Sequence, residues 1–269
     1  MALHAVFMLL AAFVMLGAMT PAQADVVQCG DVLGPGGRFT LEQDIVCQGG
    51  GSVGVTVQDG AILDLNGHTV QCGGFNGCVV LIGTGAKLLN GKVQNAQFEN
   101  IRLGGTGRHT VRNVTSVLAD LSVIVTSDHN TLIEVVADGG LSSRFTISGD
   151  HNRLINSIAL CGLFGDPCIR VEGDGNHLVG NFVAVGPDHE GIVVSGNNNV
   201  LESNRVIWMQ PSGSQSSHRA ITVTGTGNRI TRNTAITENP TDLQDGNGDC
   251  SHNTWRHNIF VTADPACIR

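Results

Sequence analysis

The sequence predicts an all-β fold, a right-handed parallel β-helix of about eight coils with capped ends, and three observations carry that prediction. One phrase recurs: "VEGDGNHLVGN" at 171–181 returns as "ISGDHNRLINS" at 147–157, "VSGNNNVLESN" at 194–204 and "VTGTGNRITRN" at 223–233. Each recurrence is preceded by a short alternating segment, "FTIS", "IRVE", "IVVS" or "ITVT", whose period of two marks a half-buried strand. The 269 residues include 36 glycines and no tyrosine, a composition suited to many tight corners.

With the recurring asparagine as a reference column, its occupants are Ala61, Ala86, Arg108, Asn130, Asn152, Asn176, Asn199, Asn228 and Asn253. The steps between them are 25, 22, 22, 22, 24, 23, 29 and 25 residues, the signature of a solenoid whose units bury their apolar sides only by stacking. Two residues on stand Leu63, Leu88, Leu132, Leu154, Leu178, Leu201 or Ile230, and five on stand Asn66, Asn113, Asn181, Asn204, Asn233 or Asn258. Strands stacked about 4.8 Å apart let identical asparagines pass hydrogen bonds from coil to coil. These asparagines, and Gly149, Gly173, Gly196 and Gly225, are expected to supply the left-handed backbone of the corners. Leucine-rich repeats share the period, but their helical arm needs a longer nonstrand segment than the repeats provide.

The elements fall in order along the chain. Residues 1–24 hold the apolar run "AVFMLLAAFVML", then Pro21 and the small-x-small ending Ala22 to Ala24, the layout of a cleaved secretory signal. A retained membrane anchor is the rival reading, disfavoured by that ending and by the polar start at Asp25. Residues 25–54 form an N-terminal cap, 55–248 the β-helix and 249–269 a C-terminal cap in which bulky Trp255 occupies the leucine column. All eight cysteines follow the cleavage point, and their spacing favours Cys29 with Cys47, Cys72 with Cys78, Cys161 with Cys168, and Cys250 with Cys267. Secretion to the periplasm or outside the cell is the expectation, as a monomer free of the membrane once cleaved. A net charge of -8 argues against a nucleic-acid partner.

The first-coil segment "ILDLNGHTV", the G-x-x-N-x-[LI]-x-x-N coils and the closing "NTWRHNIF...ACI" resemble the secreted right-handed β-helix repeat proteins of the pectin lyase-like superfamily, including its NosD-like group. The resemblance runs from about residue 29 to 269 and implies a partner in an extracellular or cell-wall polysaccharide, an acidic glycan above all. Family enzymes that cleave uronate chains by β-elimination neutralise the sugar carboxylate with arginine, lysine or calcium, so that a base can take the neighbouring proton.

On such a rod the outward residues of one strand column make a groove. Here those columns are Arg102, Ile124, Thr146, Arg170, Val193 and Thr222, and Gly104, Thr126, Ser148, Glu172, Ser195 and Thr224. Charge gathers near coils five to eight, where "PDHEGI" and "SHRAI" align and set His189 over His218 and Glu190 over Arg219. The loops "CGLFGDPC" and "MQPSGSQSS" enter beside this cluster. What the resemblance implies is a lyase or epimerase in which Arg170 or Arg219 holds the carboxylate and His189 or His218 is the base, with Arg144, Glu172, Asp188 and Glu190 contacting substrate. The bland reading of the same residues is a solvated turn bridged by Glu190 and Arg219, which leaves a noncatalytic glycan-binding or structural rod. Only Lys87 and Lys92 are lysines, both in early coils, and aspartates on adjacent coils of the kind a glycoside hydrolase uses are not expected. No resident cofactor is expected, with calcium at "DLQDGNGDC" the one option: Asp245, Asn247 and Asp249 alternate like calcium ligands, but Cys250 and Arg256 stand where an EF-type loop needs glycine and glutamate.

Overall fold

The computed structural model describes residues 26–139, 142–161, 166–186, 189–208, 219–236 and 241–268. Within them the regular structure is entirely β, and every paired strand is parallel to its neighbours one coil away, giving a parallel β-solenoid. Each coil contributes a strand to each of three faces. The first face is a continuous eleven-stranded sheet running from Val32–Leu33 to Ala263–Asp264. The second includes Thr131–Ile133, Arg153–Ile155, His177–Val179, Val200–Glu202, Arg229–Thr231 and Thr254–Arg256. The third includes Val136–Asp138, Ile158–Leu160, Phe182–Val185, Arg205–Trp208 and Thr234–Ile236. In early coils, Lys87–Gln94 and Thr110–Val117 run through the second and third faces without a break. The first sheet is longer than eight coils because Val32–Leu33 and Ala263–Asp264, from the cap segments, extend it at both ends.

The alternation seen in the sequence decides which residues meet inside. On the first face Val79, Ile101, Val123, Phe145, Ile169, Ile192 and Ile221 form one inward register, and on the second Leu63, Leu88, Val111, Leu132, Leu154, Leu178, Leu201 and Ile230 form another. All are buried. Burying each such side chain contributes roughly 1.5–3 kcal/mol, and the stacking means every coil completes the dry interior of the next. Trp255 pairs with Ile230 at the end of the leucine column and closes the core, its Nε1–H donating to Asp245 Oδ2 at 2.9 Å. The four disulfides join Cys29 to Cys47, Cys72 to Cys78, Cys161 to Cys168 and Cys250 to Cys267, the pairs favoured by spacing.

The reference asparagines do form a ladder, but one occupant differs. His109, not Arg108, aligns with Asn130: its N–H donates to Asn130 Oδ1 at 2.8 Å. A step of 23 residues followed by 21 had hidden the shift. From there Asn130, Asn152, Asn176 and Asn199 each donate a backbone N–H to the side-chain oxygen of the next, at 2.7–2.8 Å, and Asn228 does so to Asn253 at 2.9 Å. A second ladder links Asn181, Asn204, Asn233 and Asn258.

The backbone roles expected of asparagine and glycine are corrected. Left-handed φ belongs to the residue just before every ladder asparagine except Asn253: His129, His151, Gly175, Asn198 and Gly227 in the first ladder, and Gly180, Ser203, Arg232 and His257 in the second. Asn66 and Asn113 lie in this left-handed corner, at φ 51 and 53, rather than in the buried ladder. Gly149, Gly173, Gly196 and Gly225 are not left-handed. They stack where the backbones of adjacent coils approach so closely that a Cβ on each would lie 1.9–2.1 Å from a carbonyl oxygen of the preceding coil.

His109 adds an acid-sensitive element to the core. It is buried, its Nδ1 accepts the Ala86 N–H at 3.1 Å and its Nε2 donates to Gly104 O at 2.8 Å, so the ring is neutral with its proton on Nε2. Burial holds its pKa below the ordinary value of 6.5. A histidine whose folded pKa is depressed takes up its proton more readily when unfolded, so stability is full above about pH 6.5 and falls as pH drops through that value toward the folded pKa. One such proton sets a slope of up to about 1.4 kcal/mol per pH unit in that window. Denaturant titrations between pH 7 and pH 5 should show this slope in the native chain and a shallower one in His109→Asn, whose amide suits the ladder position. Equal slopes would remove His109 from the account.

Candidate functional site

The first face presents the outward columns expected of it. Arg102, Ile124, Thr146, Arg170, Val193 and Thr222 are in register on successive strands. Two residues on, at the strand ends, Thr126, Ser148, Glu172, Ser195 and Thr224 are exposed, while Gly104 is buried. Ser148 Oγ donates to Glu172 Oε2 at 2.8 Å, bridging two coils. A row of hydroxyls and one carboxylate, spaced one per coil, therefore runs parallel to the solenoid axis.

The charged neighbourhood is assembled just before these strands. Arg170 Nη2 lies 3.1 Å from Asp166 Oδ1, and His189 Nδ1 donates to the Asp166 carbonyl at 2.5 Å. One coil further, Arg219 Nη1 meets Glu190 Oε1 at 3.3 Å, the bridge that the alignment of their segments suggested. Both arginine side chains remain about one-third exposed. His189 is 1% exposed, and its Nε2 is buried without a hydrogen-bond partner, as is Thr222 Oγ1 on the adjoining strand. An orphaned buried polar group costs roughly 1–3 kcal/mol.

Arg144 belongs elsewhere. Its side chain is fully buried, with Nε donating to Leu160 O at 2.7 Å and Nη1 to Ser142 O at 2.5 Å, so it ties the backbone of the corner together from inside. Burial lowers its pKa, and Asp138 partly offsets this. Glu172 is exposed on the hydroxyl row. His218 and Asp188 lie outside the described residues, as does the whole of 1–24.

In the segment weighed for calcium, protein donors already surround the carboxylates. Asp245 is 2% exposed and accepts from Trp255 Nε1, Asn253 Nδ2, and the N–H and Nδ2 of Asn247. Asp249 accepts the Ser251 hydroxyl and N–H and faces His252, contacts that hold its pKa below the usual carboxylate range, the hydroxyl foremost. Both therefore act as acceptors in the closing turn. Among the described residues no three His, Cys, Asp or Glu side chains are grouped to hold a metal.

The sequence pattern did not single out one feature of adjacent coils. Asp128, Asp150 and Asp174 stack at one corner, where the N–H of Asp150 donates to Asp128 Oδ1 at 2.8 Å and that of Asp174 to Asp150 Oδ1 at 2.7 Å. Asn197 continues the row, its N–H meeting Asp174 Oδ1 at 2.6 Å. Next to it the rings of His129 and His151 stack at 5.1 Å, 9° from parallel. The signal was available in "SDHN", "GDHN" and "GDGN", two residues before the ladder asparagine. These aspartates on adjacent coils serve the backbone, each accepting an N–H from the following coil.

No family model matches the chain, and no curated protein does. Solved structures do. The enzymatically active domain of tailspike protein 2 from bacteriophage CBA120 is 11% identical with a TM-score of 0.52, over 84% of this chain and 41% of that one. A C387A mutant of DFA-IIIase from Arthrobacter chlorophenolicus A6 is 13% identical with a TM-score of 0.48, over 77% of this chain and 60% of that one. The same enzyme in complex with GF2 is 13% identical with a TM-score of 0.48, over 88% and 63%. The chain thus spans less than two thirds of each of these structures. At such identities the likeness is one of fold.

Proposed function

We propose that the chain binds an acidic extracellular polysaccharide laid along the first face, parallel to the solenoid axis. The observation that carries this is the exposed row Thr126, Ser148, Glu172, Ser195 and Thr224, one polar side chain per coil, with Arg170 and Arg219 on strands of the same face. A linear glycan advances by a comparable length per sugar, so each coil offers the same kind of contact to the next sugar. The two arginines, released from Asp166 and Glu190, match sugar carboxylates. Secretion fits this reading, since four disulfides suit an oxidising compartment and no helix among the described residues is long and apolar enough to cross a membrane.

A second reading, β-elimination, takes the unpartnered Nε2 of His189 as its base and requires that this buried atom be uncovered toward the sugar. A base there would take the proton beside a uronate carboxylate clamped by Arg170 or Arg219. The bond from the next ring carbon to the glycosidic oxygen would break, leaving a double bond in one product and a protonated hydroxyl on the other. An epimerase would instead return the proton to the opposite face.

The test is titration of the protein with polygalacturonate and alginate, with and without calcium, while following absorbance of the unsaturated product and solvent-proton exchange. Binding that weakens about tenfold in Arg170→Ala is expected. Product or exchange lost in His189→Ala would establish catalysis; binding without either supports the noncatalytic module. Absence of binding to both polymers would overturn the proposal.

A further inference from the structure

The second face carries a basic pocket at the C-terminal end of the solenoid. Strands Arg229–Thr231 and Thr254–Arg256 stack in register, with Arg229 beside Thr254 and Thr231 beside Arg256, and the corner that follows adds Arg232 and His257. These six residues enclose a concavity of 220 Å³. In a chain of net charge -8, three arginines and a histidine converge on it. The neighbouring acid is Glu202, shared between Arg229 Nη2 at 3.6 Å and Arg232 Nη1 at 2.5 Å. Arg256 makes no ion pair among the described residues. Two hydroxyls complete the lining: Thr231 Oγ1 accepts from Arg229 Nη1 at 3.3 Å, and Thr254 is exposed.

The positive field extends along the face. Arg153, His177, Val200 and Arg229 occupy one outward column, and His177 titrates below its ordinary range, through burial first and then through Arg153, Arg229 and His151. An arginine fork left unpaired beside hydroxyls, with one carboxylate shared by two other arginines, is short of negative charge and matches a planar or tetrahedral oxyanion.

We infer that this pocket takes a sulfate ester or carboxylate carried on an extracellular polysaccharide, as an anchor on a different face from the row of Ser148 and Ser195. That the carrier is a polysaccharide rests on the proposed function; the oxyanion chemistry of the pocket does not. The chemistry has two sources, a glycan substituent and a free anion, and the probes separate them: dextran sulfate, polygalacturonate, unsubstituted dextran and inorganic sulfate, titrated at several salt concentrations. Dextran sulfate or polygalacturonate should bind and unsubstituted dextran should not. The double variant Arg232→Gln/Arg256→Gln should weaken that binding at least tenfold and flatten its salt dependence, while Arg170→Gln leaves a distinct, pocket-dependent component in place. Both arginines are exposed, so an unchanged thermal unfolding curve should accompany the variant. Unchanged polymer affinity in the double variant, or inorganic sulfate bound as tightly as the polymers, would overturn the inference.

Discussion

Gly196→Ala should cost about 3 kcal/mol or more, a large loss for the addition of a single methyl group. A Cβ there would sit 2.0 Å from Gly173 O, 2.7 Å from Gly173 C and 2.8 Å from Glu172 O. These are backbone atoms, so no rotamer change can relieve the overlap; the coils must separate, breaking first-face hydrogen bonds to do so. The backbone of Gly196 is not left-handed, and alanine in an unstrained glycine position normally stabilises by restricting the unfolded chain. The sign of the effect therefore separates two roles. Gly67→Ala provides the contrast, because Gly67 has φ 85 and a methyl group added there would meet nothing within 4 Å: the cost is conformational alone, about 1 kcal/mol. Urea denaturation read with amide exchange on both variants decides it, since a stacked array can open coil by coil and a single midpoint can hide a local loss. A Gly196→Ala protein within about 1 kcal/mol of the parent would mean that the coils are less tightly stacked than these distances require.

Much of this architecture was legible in the sequence because a solenoid repeats its register. The leucine column, the closing Trp255 and the four cysteine pairs could each be placed by counting along the chain. What counting cannot supply is the reason for a residue's presence. Gly175 and Gly173 stand two positions apart in one repeat, yet the first is needed for a left-handed φ of 65 and the second for close backbone approach. Both requirements select glycine, so the pattern alone could not divide them. The shift from Arg108 to His109 escaped for a similar reason: two compensating changes in loop length leave the average period untouched. The candidate site was legible as a neighbourhood and not as a geometry. Glu190 with Arg219, and Arg170 near His189, followed from column position. The contact of His189 with the Asp166 carbonyl, and the burial of Arg144 inside its corner, involve residues outside the repeating columns, where counting gives no register.

Asn204→Ala should be nearly as damaging, by about 3–4 kcal/mol, through the loss of polar partners in the dry interior. Asn204 Oδ1 accepts the Asn181 N–H at 3.0 Å and Asn181 Nδ2 at 2.9 Å, while its own Nδ2 donates to Leu178 O and to Asn233 Oδ1, both at 2.9 Å. Truncation would leave the Asn181 N–H and the Leu178 carbonyl without these bonds in a place water does not reach, and each orphan costs roughly 1–3 kcal/mol. The end of the ladder offers the control. Asn258 makes the same bonds, to the Asn233 N–H at 2.9 Å and from its Nδ2 to Ile230 O at 2.9 Å, but it is partly exposed, so water can replace the lost amide and Asn258→Ala should cost about 1 kcal/mol. Asn204→Asp, measured at a pH low enough to keep the new carboxyl neutral, keeps an acceptor for Asn181 and replaces the amide's two N–H donors with a single O–H, so Leu178 O and Asn233 Oδ1 cannot both be served and the loss should fall between the other two. Amide exchange at Asn181 is the most direct readout: it should accelerate strongly in Asn204→Ala and little in Asn258→Ala. Equal acceleration in both would place the stability of the coils in their apolar columns alone and leave the ladder as a consequence of stacking rather than one of its causes.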